Sequence, residues 1–485
     1  MKERVAPGRS GLARAGTDPA EAYWLENWQI LRDGVYRPRF GTKYVATVGT
    51  GPTVLVTHLS KAPGYNHNLM VCTSDGVLSE LDVETGTLTG VDTGWPGGPF
   101  SWCLAPSVSA GGNVWVACQS SIGGSVGDVV MWDGTTLTVL PCDQGNWVAC
   151  HGDYVVRLAS GDTGTDSIQW SSLGKAEDWP VQNARAPLPQ MGSTDAILPY
   201  NSSDSILLGP YGFGRLYGRN PDRPAWENLE NALLLTPMHL NQKCRDRIIV
   251  AGAGPALLEY VPPGLPRRIE LPLGLDLLLA EGSANLRSWY NPILNCYCLT
   301  DNLAKQTYLY SIDQARFIGT WSVGDDLHPL LGQADIDQGA SAFDADEMPW
   351  GKSFFGWGPL VVQIDPTKFK DATGPSTDEY YFCRVETTPS TGADPTAEKQ
   401  LNSIQVDGSG DFTAYYRYRS GPLEPWTTVT EPSANAWKFT APGKFHFPLS
   451  HITYRERVVG LEAAAVAGLR FRSMEIDEDI VGLAD

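Results

Sequence analysis

Short runs of alternating apolar and polar residues repeat along this chain from about residue 68, and acidic or glycine turns join them. Residues 69–78 and residues 129–140 each contain two such runs around a central Asp-Gly pair. A period of two is typical of half-buried strands, and an Asp-Gly pair accepts the positive φ angles of a tight hairpin turn. The pattern therefore predicts a series of β-hairpins.

The hairpins group into modules of similar layout. About six or seven sheet-like modules of roughly 40 to 50 residues fit between residues 53 and 370, and each has room for four short strands. Such radial repetition is typical of a β-propeller and is favoured over a single sandwich. Low identity between the modules leaves the blade number open. We predict a propeller over residues 23–372.

A change in composition marks a second domain. Residues 371–376 resemble a linker, and residues 373–485 contain about six predicted strands, a pattern that suits a β-sandwich. In one of these strands Arg417 and Arg419 share a face with Tyr415. That face is either solvated or an interface, and the enrichment of Arg and Tyr at interfaces favours the second interpretation.

The composition favours strands over helices. The chain has 485 residues, of which 51 are Gly, 35 Pro and 16 Trp, and only 19% are charged. Many glycines and prolines favour short strands and tight turns, so the predicted fold class is all-β. The best helix candidate is residues 19–31, and residues 461–467 could form either a helix or a strand.

The charge distribution limits the possible partners. A formal net charge of −19 argues against a protein that grips nucleic acid through its phosphates, so any contact with DNA should be loose. Residues 1–22 are predicted to form a flexible basic arm that contains Lys2, Arg4 and Arg9. This arm is either solvated or docks onto an acidic face of a neighbouring subunit.

Local motifs for chemistry are weak. Residues 123–127 match G-x-S-x-G around Ser125, but a strand follows where a hydrolase needs a helix. Acidic residues 335–347 could hold calcium, although they lack the EF-hand spacing, so this question stays open. The nine cysteines include no CxxC pair and fit reduced thiols. We expect no catalytic residue, cofactor or metal, and we find no apolar run long enough to span a bilayer.

Residues 168–180 carry the most specific pattern. They resemble the Trp-Ser-x-x-Gly-x-x-x-Asp-Trp signature of a family of bacteriophage tail hub or nozzle proteins from short-tailed double-stranded-DNA phages. The matching residues are Trp170, Ser171, Gly174, Asp178 and Trp179.

Two further segments are similar to the same family. Residues 27–42 resemble its opening Asn…Gly-x-x-x-Arg-Pro-Gly element, except that Arg39 and Phe40 intervene before Gly41. Residues 469–482 resemble its closing strand and terminal glycine.

The resemblance implies a structural subunit of the virion tail that is assembled in the host cytoplasm. It would form a homo-oligomeric ring, with a hexamer favoured, around the channel for genome ejection. Its other partners would be an adaptor and a tail fibre or spike, and DNA would pass without specific binding. We expect Trp170 and Trp179, on an exposed loop, to contact neighbours together with Arg417 and Arg419.

Two other functions stay open. In a carbohydrate-binding or glycan-degrading propeller, aromatic rings would stack on sugars and an Asp/Glu pair from different blades would cleave them. In a cytoplasmic scaffold, the basic arm would be dispensable for assembly.

Overall fold

A computed structural model gives the fold of this chain. It describes residues 2–5, 22–30, 35–51, 53–59, 68–97, 100–121, 125–159, 167–186, 194–201, 203–218, 225–230, 240–252, 256–262, 264–272, 275–281, 286–291, 294–301, 304, 306–322, 330–336, 352–365, 367–387, 397–419, 425, 427–429, 438–446, 454 and 456–483.

Five strands precede the first blade of a propeller. They are β1 (Lys2–Val5), β2 (Ala22–Glu26), β3 (Trp28–Ile30), β4 (Tyr36–Pro38) and β5 (Gly41–Thr47).

Four consecutive four-stranded antiparallel sheets follow. Blade 1 comprises β6 (Thr53–Leu59), β7 (Asn68–Thr73), β8 (Val77–Asp82) and β9 (Leu88–Thr93). Blade 2 comprises β10 (Phe100–Ser107), β11 (Gly112–Ser121), β12 (Val129–Trp132) and β13 (Leu137–Val139). Blade 3 comprises β14 (Trp147–His151), β15 (Tyr154–Ala159), β16 (Ser167–Trp170) and β17 (Ala184–Arg185). Blade 4 comprises β18 (Ala196–Pro199), β19 (Asp204–Gly209), β20 (Gly212–Tyr217) and β21 (Ala225–Glu230).

Three more blades complete the propeller. Blade 5 comprises β22 (Gln242–Cys244), β23 (Arg247–Gly252), β24 (Ala256–Tyr260) and β25 (Arg267–Arg268), and helix α1 (Leu275–Glu281) follows it. Blade 6 comprises β26 (Leu286–Asn291), β27 (Cys296–Asp301), β28 (Gln306–Ser311) and β29 (Arg316–Ser322). Blade 7 comprises β30 (Leu330–Ile336), β31 (Lys352–Trp357) and β32 (Leu360–Asp365), together with β5. Within the described ranges, no helix is long and apolar enough to cross a membrane.

The remaining strands follow blade 7. A two-stranded hairpin consists of β33 (Lys370–Gly374) and β34 (Thr377–Tyr380). The C-terminal domain contains β35 (Phe382–Thr387), β36 (Ala397–Arg419), β37 (Thr427–Val429), β38 (Lys438–His446), β39 (Glu456–Ala464) and β40 (Arg470–Leu483).

The ring of blades is closed by an early segment of the chain. Strand β5 pairs antiparallel with β32 and so supplies the fourth strand of blade 7, while the strand that follows it, β6, begins blade 1. The first strand of blade 7 lies beside the first strand of blade 1. The described residues therefore form a seven-bladed all-β propeller with a C-terminal β-sandwich domain, which confirms the predicted fold class and resolves the blade number.

Apolar side chains fill the spaces between the blades. Alternation along each strand turns one set of side chains toward each neighbouring blade, so large residues from two adjacent sheets interdigitate. Between blades 1 and 2, for example, Trp95 lies 4.9 Å from Phe100 and 5.7 Å from Trp115, measured between ring centroids. Trp95 and Trp115 thus serve as packing between these two blades.

The N-terminal segment joins the propeller to the C-terminal domain. Strand β2 pairs in parallel with β29 of blade 6 at Glu26 and Thr320, and antiparallel with β35 on its other side. Blade 6 is therefore continuous with the C-terminal sheet. The predicted helix over residues 19–31 is wrong for the described residues 22–30, because β2 and β3 lie there and Asn27 between them has a φ of 62°.

The predicted division of the chain also differs from the structure at its start. Strand β1 pairs with β40, so residues 2–5 belong to a sheet and do not form a free arm. Strands β2 to β4 join the C-terminal sheet, although they fall within the predicted propeller range.

Long strands build the C-terminal domain. Strand β36 pairs with β40 and β38 along its first part and with β39 and β37 along its second part. The pairing shifts between Val406 and Gly410, where a bulge lets one strand contribute to both layers. The strand alternative for residues 461–467 is confirmed as far as Ala464, where β39 ends.

We predict that ring closure depends on the apolar face of β5. Ala46 is buried between blades 7 and 1 among Leu69, Phe354 and Val361. Ala46→Asp places an unpaired carboxylate in this cluster and should cost at least about 3 kcal/mol, read as a lower urea midpoint of unfolding. Thr47→Asp, on the exposed face of the same strand, should cost less than about 0.5 kcal/mol. Equal effects would contradict this account of closure.

Candidate functional site

Trp170 lies in the core of the propeller. It is only 3% exposed, pairs with Val156 of β15 in register and packs in the cluster that blades 3 and 4 share. Ile168 faces the same way, as the alternation along β16 predicted. The expectation that Trp170 is exposed for contact with a partner is wrong, because this alternation turns both side chains into the protein.

The loop after Trp170 folds back onto its own blade. The amide of Val155 donates to Ser171 Oγ at 3.0 Å, and the amide of Ser172 donates to the Asp178 carbonyl at 2.7 Å. Gly174 has a φ of 67°, which a glycine adopts without strain, and its amide donates to the Asp153 carbonyl at 2.9 Å. The residues of this motif thus form a compact turn.

The same loop also forms hydrogen bonds with blade 2. The amide of Ala176 donates to the Pro106 carbonyl at 3.0 Å, and the Glu177 carboxylate accepts from the amide of Ser109 at 2.9 Å. Burial raises the pKa of Glu177, but hydrogen bonds from the amides of Glu177 and Ser109 outweigh it and lower the pKa below its usual value. Glu177 is therefore a charged acceptor.

Trp179 completes this joint. It is half-buried against the cluster between blades 2 and 3, and its Nε1 donates to the Ala176 carbonyl at 2.8 Å. Residues 168–180 therefore bind blades 2, 3 and 4 together, which is a structural role within one subunit.

Arg39 occupies the joint between the propeller and the C-terminal domain. Its Nη1 lies 2.9 Å from Asp371 Oδ1, its Nε donates to Asn27 Oδ1 at 3.0 Å, and its Nη2 donates to the Ser322 carbonyl at 3.3 Å. The guanidinium also lies 4.0 Å from the centre of the Tyr381 ring. Arg39 and Asp371 are both buried. One cation thus contacts blade 6, the β33 strand and the start of the C-terminal domain.

Asn27 links the same elements through its amide group. Its Nδ2 donates to Ser322 Oγ and to the Phe382 carbonyl, both at 2.8 Å, and the amide of Ser322 donates to its Oδ1 at 3.0 Å. Asparagine tolerates the left-handed backbone conformation found here better than most residues. The segment that resembles the opening element of the tail family is therefore a joint between domains.

The buried pair differs from a surface ion pair in its energetics. Burial raises the pKa of the Asp371 carboxyl, and the Arg39 guanidinium opposes that rise. Burial lowers the pKa of Arg39, but Asp371 reverses this effect and raises it. Because Arg39 keeps its charge at all accessible pH values, we regard the pair as ionised and mutually dependent.

Arg417 and Arg419 are held within the subunit. Arg417 forms an ion pair with Glu386, and Arg419 forms one with Glu456. Tyr415 donates to Glu386 at 2.7 Å, so a cross-strand network covers this outer face. Both arginines are partly exposed, and their use as interface anchors stays a prediction. Of the basic residues near the start, Lys2 and Arg4 lie in β1, whereas Arg9 lies outside the described residues.

The candidates for chemistry do not assemble into a centre within the described ranges. No group of three His, Cys, Asp or Glu residues there could hold a metal. The nine cysteines are free thiols, and burial raises the pKa of Cys118 and of Cys142 to about 12. Ser125 is followed by β12 and not by a helix. Of the possible calcium segment, residues 337–347 lie outside the described residues.

A groove between two blades of the propeller carries three arginines. It has a volume of about 240 Å³, lies between blades 5 and 6, and is lined by Arg267, Arg268, Arg316, Tyr310 and Glu270. Arg267 pairs with Glu259, and Arg316 donates to Gln314 Oε1 at 2.8 Å. We did not predict this site. The Pro-Arg-Arg run at residues 266–268 indicates a local concentration of positive charge in the sequence. Arg316 is distant in sequence, and only the fold brings it near Arg267 and Arg268.

Comparisons with known proteins find only distant structural similarities. No protein-family model matches the sequence, and no curated protein matches it. Among solved structures, a streptogramin B lyase is 10% identical with a TM-score of 0.43, over 67% of this chain and 98% of its own. The β-propeller domain of Myceliophteria thermophila Cps50 (Swd1) is 11% identical with a TM-score of 0.43, over 67% of this chain and 99% of its own. At this distance neither neighbour informs the function.

We predict that removal of the Asp371 carboxylate destabilises the whole protein. Asp371→Asn leaves the Arg39 guanidinium buried without its counter-ion and should cost about 3 to 5 kcal/mol in thermal unfolding. Asp407→Asn is the matched control, because Asp407 forms a surface ion pair with Arg472 at 3.7 Å, and its loss should cost less than about 1 kcal/mol. A small effect of Asp371→Asn would show that the buried pair does not hold the joint.

His151 connects blades 3 and 4. Its Nε2 lies 2.6 Å from the Gly218 carbonyl and must donate to it, so Nδ1, 2.8 Å from Ser205 Oγ, accepts in the neutral ring. Burial lowers the pKa of His151 below its usual value. Above that usual value of about 6.5, the His151 ring is neutral in both the folded and the unfolded chain, and its contacts contribute fully to stability. As the pH falls below this value, the unfolded chain takes up a proton on His151 more readily than the folded chain does. Stability is therefore lost until the pH falls below the pKa of His151 in the folded protein.

This linkage predicts a measurable pH dependence. Between about pH 7.5 and 5.5, the melting temperature of the wild type should fall further than that of His151→Gln, because glutamine takes up no proton. His446→Gln, at an exposed position in β38, should keep the wild-type dependence. Identical slopes for the wild type and His151→Gln would refute the assignment.

Proposed function

We propose that this chain is a structural subunit of a phage tail, a hub or nozzle protein that forms a ring around the channel for DNA ejection. The observation that carries the proposal is the position of the segments that resemble this family. Residues 168–180 bind three blades together, and Asn27 and Arg39 bind the propeller to the C-terminal domain. In both places the residues that resemble the family hold the subunit together.

The charge of the subunit is compatible with a channel for DNA. A net charge of −19 disfavours tight contact with phosphates, and loose contact is what passage of a genome requires. In this proposal the ring is a homo-oligomer, with a hexamer favoured, and an adaptor and a fibre or spike are its neighbours in the tail.

Native mass spectrometry and negative-stain electron microscopy of the purified protein test the proposal. We expect a closed ring of about six copies of the 52.7 kDa subunit, alone or after addition of an adaptor, with a central opening. A monomer that depolymerises bacterial surface polysaccharide would overturn the proposal and support the carbohydrate-active alternative. A monomer without that activity, unaffected by deletion of residues 1–22, would support the scaffold alternative.

A further inference from the structure

The groove between blades 5 and 6 concentrates positive charge on an acidic protein. Three arginines and one glutamate line it, whereas the whole chain carries a net charge of −19. Arg267 has a side chain that is 65% exposed, yet it is held by Glu259, which also binds Arg247. Because its neighbours already restrict the guanidinium, less entropy is lost when it binds a carboxylate.

Strand β34 of the β33–β34 hairpin carries two carboxylates, although Lys368 before β33 pairs with one of them and Lys370 lies in β33. All four residues of β34, Thr377 to Tyr380, are exposed, and they include Asp378 and Glu379. Tyr380 is 60% exposed, and Phe382 just beyond it is 50% exposed. Aromatic residues are enriched at protein interfaces, so these exposed rings make the outer strand of the hairpin a candidate contact surface.

The hairpin is fixed to the propeller through its other strand. The amide of Ala372 donates to Thr42 Oγ1 at 2.9 Å, and a Cβ on Gly41 would lie 2.1 Å from the Lys370 carbonyl oxygen. Strand β33 is therefore packed tightly against β5, and β34 is held outward at a defined position.

We infer that the arginine groove of one subunit binds the β34 hairpin of a second copy of this chain. The inference rests on the proposed ring and names the contact that builds it. The groove and the hairpin are different surfaces of the same subunit, so each copy can bind one neighbour through its groove and another through its hairpin. Such head-to-tail contacts generate rings when the rotation closes.

The chemistry of the two surfaces matches. Planar guanidinium groups bind carboxylates with two parallel hydrogen bonds and also stack on aromatic rings. Glu379 supplies one carboxylate, Asp378 supplies a second that it shares with Lys368, and Tyr380 supplies a ring that already lies 4.0 Å from the Lys370 ammonium. The groove offers both kinds of partner, because Arg267 and Arg268 lie on one blade and Arg316 on the next.

Reversal of the charges on each surface tests the contact. Arg268→Glu with Arg316→Glu gives a groove variant, and Asp378→Lys with Glu379→Lys gives a hairpin variant. Each variant alone should associate at least about tenfold more weakly than the wild type in sedimentation velocity, because like charges then face each other. Circular dichroism and the melting temperature verify that each subunit is folded. If a charge reversal prevents folding, the neutral variant Arg268→Gln replaces it in the groove, and Glu379→Gln replaces it in the hairpin.

Mixing the two variants gives the decisive result. The reversed groove of one variant fits the reversed hairpin of the other, so an equimolar mixture should restore rings of alternating subunits. Arg185→Glu, on the outer strand of blade 3 at the place that Arg268 occupies in blade 5, is the matched control for the groove. Glu84→Lys, exposed in blade 1, is the control for the hairpin. Both controls should associate as the wild type does.

The outcomes separate this inference from the proposed function. Wild-type rings that tolerate both reversals, or variants that do not recover on mixing, would overturn the contact and leave the ring in place. A wild type that forms no ring under any condition would overturn both.

Discussion

The structure depends on one buried ion pair, Arg39 with Asp371, at the meeting point of three parts of the chain. Burial of two charges costs several kcal/mol each, and only close partners offset this cost. Here the guanidinium also contacts Asn27, the Ser322 carbonyl and the Tyr381 ring, so hydrogen bonds and a cation–π contact add to the Coulomb attraction. Because these partners come from residues distant in sequence, the pair forms only when the propeller and the C-terminal domain are both in place.

This constraint explains why the N-terminal segment crosses between domains. Strand β5 closes blade 7 and strand β2 continues blade 6 into the C-terminal sheet, so the ends of the propeller and the second domain are fastened by one stretch of chain. The loop at residues 171–180 also fastens separate parts of the fold, because it joins blade 3 to blade 2 through hydrogen bonds.

The local elements were predictable from the sequence, whereas their long-range partners were not. Alternation and Asp-Gly turns predicted the hairpins of blades 1 and 2, because both signals act over a few residues. The helix predicted at residues 19–31 failed because pairing with β29 and β35 overrode local preference. Trp170 was expected at the surface because large aromatic residues often anchor interfaces, although the alternation along β16 already placed it on the same face as Ile168. The arginine groove combines residues about 50 positions apart, which only the fold reveals.

Hydrogen–deuterium exchange across the joint is the most direct test of the central claim, that the N-terminal segment makes the propeller and the C-terminal domain one cooperative unit. The account predicts that amides of β29, β2 and β35 are protected to the same extent and exchange together as denaturant is added. Rapid exchange in β2 and β35 while β27 and β28 stay protected would show that the two domains open independently and would contradict the account.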